Sequence, residues 1–120
     1  MSRVTHEASA AKRRHHAAVC AALGDETRLS LIAALAAGEP RSIAQLTGGT
    51  RITRQAITKH LRVLEHAGIV HSVRTGRESR FGFDPTPLNE LQEYLSRVSQ
   101  QWDQALSRLK ELVESQSPRS

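Results

Sequence analysis

Between residues 53 and 68 the chain reads TRQAITKHLRVLEHAG, with apolar positions at helical intervals. Set at about 100° per residue, Ile57, Leu61 and Leu64 share one stripe with Ala56 at its edge. Gln55, Thr58, Lys59 and Arg62 line the opposite side. This predicts a two-faced helix, capped by the Thr53 hydroxyl and closed by Gly68. Just upstream, Ser42-Ile43-Ala44-Gln45 has the spacing of a capping box and opens a short helix that stops at Gly48-Gly49. Before that, Leu29, Ile32, Ala33 and Leu35 recur at helical spacing behind Asp25 as a cap, with Glu26 in the first turn. Gly38, with Pro40 just beyond it, is expected to end that helix in a left-handed conformation. An Ala-rich stretch predicts a loosely ordered helix over residues 8–23, and residues 1–16, with His6, His15 and His16, are expected to form a flexible basic arm that would touch DNA backbone.

After Gly68 the period changes from that of a helix to that of a strand. Residues 69–74 and 79–83 are short β-like runs, and Thr75-Gly76-Arg77-Glu78 between them has turn chemistry, so residues 69–83 read as a hairpin. Asp84-Pro85-Thr86-Pro87 then breaks the strand, with Thr86 expected as the cap and Pro87 as the first residue of a helix over 86–114. Leu88, Leu91, Leu95, Val98, Trp102, Ala105, Leu109 and Leu112 follow at alternating steps of three and four, the spacing of a coiled-coil seam. The seam is ~36 Å long at ~1.5 Å per residue, more than so small a body needs. Part of Leu88 to Val98 is expected to pack within the chain, and Leu91, Leu95, Val98, Trp102 and Leu109 are expected to meet a second copy. The fold class is mainly α with a small β-hairpin (α+β): one winged helix-turn-helix domain over residues 1–120, with the helix-turn-helix at 42–68, the wing at 69–83 and a dimerisation helix at 86–114.

Composition narrows the function. A chain of 120 residues has room for one core, and with aromatics at 3% that core must be aliphatic. No stretch approaches the ~20 apolar residues that span a bilayer, the polar N-terminus lacks the apolar centre of a secretory signal, and the basic helix exposes no large apolar groups to a membrane surface. The expected location is the cytoplasm, in keeping with the single Cys20. There is no nucleophile–base–acid set, no phosphate loop and no usefully spaced carboxylate pair, so the chain is not read as an enzyme.

The net charge is +5, and seven cations face two acids between Arg51 and Arg80. A basic middle calls for an anionic partner, with double-stranded DNA first. Taken alone, the cationic face around residues 54–62 is an ordinary solvated surface. Joined to the caps, the glycine turn and the basic hairpin, it reads as a groove-binding face. Gln55 can pair with adenine, Arg54 with guanine, and Thr58 can offer methyl or hydroxyl; Arg74, Arg77 and Arg80 would reach phosphates or a narrow minor groove. A two-fold dimer would set two such helices about 34 Å apart, which calls for an inverted repeat. A second reading is a winged-helix module that binds protein through the C-terminal helix, although such a module has no need of three wing arginines.

LGDETRLSLIAAL, SIAQLTGGTRITRQAITKHLRVLEHAGIV and RTGRESRFGFDP together resemble the ArsR/SmtB family of bacterial winged-helix repressors, from about Ala22 to Pro85. The C-terminal helix is similar to that family's extended dimerisation helix. The resemblance implies a homodimeric repressor acting at a promoter, often its own, and released by a signal. It also implies that Thr53, Arg54, Gln55, Thr58 and Lys59 face DNA and that Arg77 is at the wing tip. Metal-sensing members carry a Cys-x-Cys pair before the reading helix, or Asp, His and Glu ligands on the last helix. Here the first is Ser-Ile-Ala-Gln-Leu-Thr, and the last helix has no Cys or His. His16 and Cys20 lie four apart on one helix, but two ligands per chain are too few, so no metal and no cofactor are expected and any small-molecule effector is unknown.

Overall fold

The computed structural model describes the backbone of residues 2–116 and the side chains of residues 9–116. The elements, in order, are α1 (Ser2–Leu23), α2 (Glu26–Ala36), β1 (Arg41–Ser42), α3 (Ile43–Thr47), α4 (Arg54–His66), β2 (Val70–Thr75), β3 (Glu78–Phe83) and α5 (Thr86–Gln116). They form two compact units, one ending at Leu88 and the other beginning at Asn89. No helix among the described residues is long and apolar enough to cross a membrane.

Short-range chemistry sets most of the helix ends. Asp25 caps α2, its Oδ2 accepting from the Arg28 N–H at 3.0 Å. The capping box at α3 is complete: Ser42 Oγ accepts from the Gln45 N–H at 3.2 Å, and Gln45 Oε1 accepts from the Ser42 N–H at 2.9 Å. Thr53 Oγ1 accepts from the Ala56 N–H at 3.1 Å and starts α4. At the far end of α4, Gly68 takes φ +79°; its N–H donates to the Glu65 carbonyl at 3.0 Å, and the Ile69 N–H donates to the Leu64 carbonyl at 2.9 Å. That pair of bonds is a Schellman motif, with buried apolar residues at both ends of the longer bond.

Several expectations change. Residues 2–16 belong to α1 rather than to a flexible arm; His16, Val19 and Ala22, spaced by three, are buried on one face of it. The side chain of His6 lies outside the described residues. In α2 the buried positions are Leu31, Ile32 and Leu35, while Leu29 is 51% exposed. Gly38 is not the left-handed stop: α2 ends at Ala36 with Ala37 as a right-handed C-cap, and the glycines with positive φ are Gly49, Gly68 and Gly76. α5 begins at Thr86 itself, whose N–H donates to Asp84 Oδ1 at 3.0 Å.

The hairpin is part of a three-stranded antiparallel sheet in the order β1-β3-β2, the two residues of β1 pairing with Phe81 and Arg80. Two residues are too few for any alternation to show in a sequence. Gly76 (φ +65°) opens the β2–β3 turn and Arg77 has no positive φ, which is the II′ pattern suited to the twist of a hairpin. The core is aliphatic, with Leu35, Ile57, Leu61, Leu64, Ile69, Val19 and Val70 as its fully buried large side chains, and Phe81 is also buried.

Two substitutions test this core. Leu61→Ala should cost about 2–5 kcal/mol in urea unfolding, because the helix and sheet around it cannot collapse fully into the space. Ser42→Ala should cost about 1 kcal/mol by losing one half of the capping box.

Candidate nucleic-acid interface

α4 is buried along Ile57, Leu61 and Leu64 and exposes Arg54, Gln55, Lys59 and Arg62. The apolar stripe thus fixes which side chains reach solvent. Around the first two turns, Thr53, Arg54, Gln55, Ala56, Thr58 and Lys59 line an open depression of about 560 Å³. Thr58 is half-buried, and its hydroxyl donates to the Arg54 carbonyl at 2.7 Å. Its proton is committed to the helix, so the methyl and the oxygen lone pairs are what remain for a ligand.

Charge on this face is only partly compensated. Arg62 Nη1 lies 3.5 Å from Glu65 Oε1, a surface pair one turn apart whose attraction water and salt weaken. Among the described residues, Arg54, Lys59 and Arg77 form no ion pair. On the wing, Arg80 Nε lies 3.1 Å from Glu78 Oε2, and Arg74 Nε donates to the Gly76 carbonyl at 3.4 Å. Register separates these two arginines. Arg74 pairs with Ser79 and Val73 pairs with Arg80, so Arg74 lies on the sheet face that carries Phe81 and Phe83, while Arg80 lies on the opposite face with His71 and Thr75. Arg77 occupies the exposed tip.

A polar cluster that sequence reading missed lies behind α4. Arg28 donates from Nε to the Ala22 carbonyl at 2.6 Å and from Nη2 to the Ala21 carbonyl at 3.2 Å, while Nη1 lies 3.3 Å from His60 Nδ1. His60 is half-buried and packed into this cluster. One signal was available: an arginine in the first turn of α2, behind its acidic cap, with a histidine beside the apolar stripe of α4. Asp25 Oδ2 is 3.8 Å from His60 Nδ1. That contact is not an ion pair while Nδ1 accepts from Arg28, because the ring then carries no proton on that side.

The dimer candidates divide. Leu91 is only 6% exposed. Leu95, Val98, Trp102 and Leu109 are exposed, with Trp102 at 63%, and Leu106, Leu112 and Val113 extend the exposed set on α5. As for metal, no three His, Cys, Asp or Glu gather among the described residues; His16 is buried and Cys20 is exposed.

Two carboxyls give the fold an acid dependence. The Arg28 backbone N–H holds Asp25 below the ordinary 3.8, with partial desolvation opposing and nearby positive charge assisting. Asp84 is lowered first by the Thr86 backbone N–H, then by the Thr86 hydroxyl and by His71, whose Nε2 is 2.9 Å from Asp84 Oδ2. Both folded values lie below the unfolded ones, so the stabilisation is complete above 3.8 and is lost as pH falls through the lowered values. Circular dichroism melts over about pH 5 to 2 should show a midpoint that falls with acid, less steeply in an Asp25→Ala, Asp84→Ala variant.

Known proteins resemble this chain in sequence and fold. A family model described as a helix-turn-helix domain matches residues 23–73. The HTH-type transcriptional regulator Rv2034 of Mycobacterium tuberculosis is 33% identical over 95 residues, which are 79% of this chain and 85% of that protein. The solved structure of an ArsR-like transcriptional regulator from Rhodococcus sp. RHA1 superposes with a TM-score of 0.79 at 35% identity, covering 85% of this chain and 95% of the other. The homodimeric winged helix-turn-helix DNA-binding domain of Mb0332 from Mycobacterium bovis, described as a possible ArsR-family transcriptional regulator, shares the fold with a TM-score of 0.60 at 22% identity, covering 83% of this chain and 89% of the other.

Proposed function

This chain belongs to the ArsR family of winged helix-turn-helix transcriptional regulators, and from that membership we propose that it is a homodimeric repressor reading an inverted-repeat operator, its own promoter included. The observation that carries the reading is α4: one face is buried in the core, while Arg54, Gln55 and Lys59 are exposed with no acidic partner on either cation among the described residues. Such a helix can enter a major groove with its base-reading groups unspent. Gln55 and Arg54 read base edges, Thr58 offers its methyl to a thymine, and Thr53, Lys59 and Arg62 hold phosphates.

The wing enters the adjacent minor groove. Arg77 leads at its tip, and Arg74 and Arg80, on opposite faces, address the two flanking phosphate strands. The exposed side chains of α5, with Trp102 and Leu109 among them, join two copies, as the homodimeric description of the Mycobacterium bovis relative supports. The action is binding alone, carried out on DNA in the cytoplasm, and no catalytic step is assigned to any residue.

A footprint on the DNA upstream of the protein's own gene, repeated at rising salt, tests the reading; protection of a two-fold symmetric site is expected, and absence of any preference over random DNA would end it. Gln55→Ala should relax base preference at one position per half-site, at a cost of ~1–3 kcal/mol. Arg77→Ala should weaken binding to all sequences and lower the salt slope by about one. Equal effects of the two variants on specific and random DNA would contradict these roles. Leu95→Glu or Trp102→Glu should give monomers in sedimentation together with weaker operator binding; a variant that stays dimeric would place the interface elsewhere.

A further inference from the structure

We propose that His60 and Arg28 form a latch that sets the rotation of α4, and hence the base preference of its outer face, without touching DNA. The proposal rests on the operator-reading role given above.

The aliphatic stripe accounts for the burial of α4 but not for its angle. Hydrophobic attraction is non-directional, so Ile57, Leu61 and Leu64 alone resist small rotations weakly. A hydrogen bond weakens steeply as it bends, and α4 has one in its middle turn that reaches outside the helix-turn-helix. Arg28 is its anchor. Its guanidinium donates to the Ala22 carbonyl at 2.6 Å and the Ala21 carbonyl at 3.2 Å. These belong to the last turn of α1, whose carbonyls have no partner within their own helix, although that of Ala21 also accepts from the Gly24 N–H at 3.2 Å. The Arg28 backbone N–H donates to Asp25 at 3.0 Å, so the main chain from which the side chain springs is held as well. The third direction of the guanidinium meets His60 Nδ1 at 3.3 Å. An arginine only donates, so Nδ1 must carry the lone pair and the ring proton must sit on Nε2. One planar cation therefore joins the end of α1, the start of α2 and the middle of α4. His60 follows Lys59 directly and shares one helix with Thr58, two residues before it, and Gln55, five before it, so a rotation of α4 that broke the latch would displace the reading groups as well.

The experiment compares wild type with His60→Asn, His60→Leu and Arg28→Lys. Asparagine places Oδ1 where Nδ1 was and keeps an acceptor; leucine keeps bulk without one; lysine keeps the charge but not the fork. Affinities for the footprinted fragment and for random DNA are measured at one salt concentration, with circular dichroism to confirm folding. His60→Leu and Arg28→Lys should lower the ratio of specific to random affinity by about tenfold, with random-DNA affinity and salt slope unchanged, while His60→Asn keeps the wild-type ratio. An unchanged ratio in His60→Leu, equal losses on both DNAs, or failure of His60→Asn to preserve the ratio would overturn the proposal. Should His60→Leu not fold, the Arg28→Lys and His60→Asn ratios decide it alone. Nitrogen-15 spectra of the imidazoles in DNA-free protein give an independent reading: His60 should show a proton on Nε2 and an acceptor Nδ1 that shifts in Arg28→Lys. A proton on Nδ1 refutes the latch whatever the DNA result, whereas the expected tautomer in a protein with no sequence preference refutes the operator-reading role instead.

Discussion

Everything in the helix-turn-helix unit depends on α4 being buried along one side only. Ile57, Leu61 and Leu64 give the core its centre, and α2, α3 and β2 all pack against the helix that carries them. Burial of a few aliphatic side chains at roughly 1.5–3 kcal/mol each outweighs the cost of ordering them and leaves the other side of the helix with no structural duty. Cations can then collect there without loss of stability. The same thirteen-residue helix thus supplies both the cohesion of the unit and the surface offered to an anionic partner.

What could be read directly from the chain was whatever is decided within a few residues. The capping box at Ser42 and Gln45, the Thr53 cap and the Gly68 stop are contests between neighbouring groups, and each formed as its residue types dictate. The stripe of α4 was legible for the same reason, since three spaced aliphatic residues can face only one way on a helix. What could not be read was decided by partners distant in sequence. β1 exists because Arg41 and Ser42 meet Phe81 and Arg80, nearly forty residues on, and nothing in two residues announces that. Leu29 has the spacing of a core residue yet is exposed, because the face of α2 that packs is centred on Leu31, Ile32 and Leu35. Of the candidate site, the exposed polar face of α4 was legible. The division of the wing arginines required the strand register, and the Arg28–His60 contact required knowledge of which helices meet.

Charge is distributed as unevenly in space as along the chain. Glu78 answers Arg80 and Glu65 answers Arg62, while Arg54, Lys59 and Arg77 stand without acids among the described residues. The potential is therefore concentrated at the start of α4, where the helix dipole adds to it, and at the wing tip. Two foci of positive charge separated by a more neutral stretch suit a polyanion with grooves better than a flat anionic surface.

The Schellman closure at Gly68 has a mechanical meaning. Because Ile69 is bound back into the last turn of α4 and Val70 already belongs to β2, no slack separates the helix from the ribbon. The Asp84 N–H donating to the Ile69 carbonyl at 2.8 Å ties the returning strand to the same joint. Helix and ribbon behave as a crank with its elbow at residue 68: six residues of β2 make an arm of ~20 Å, so a tilt of a few degrees at the elbow carries the tip sideways by an ångström or more. A protein that must let go of its partner can exploit such leverage, since a small turn of one part withdraws the other.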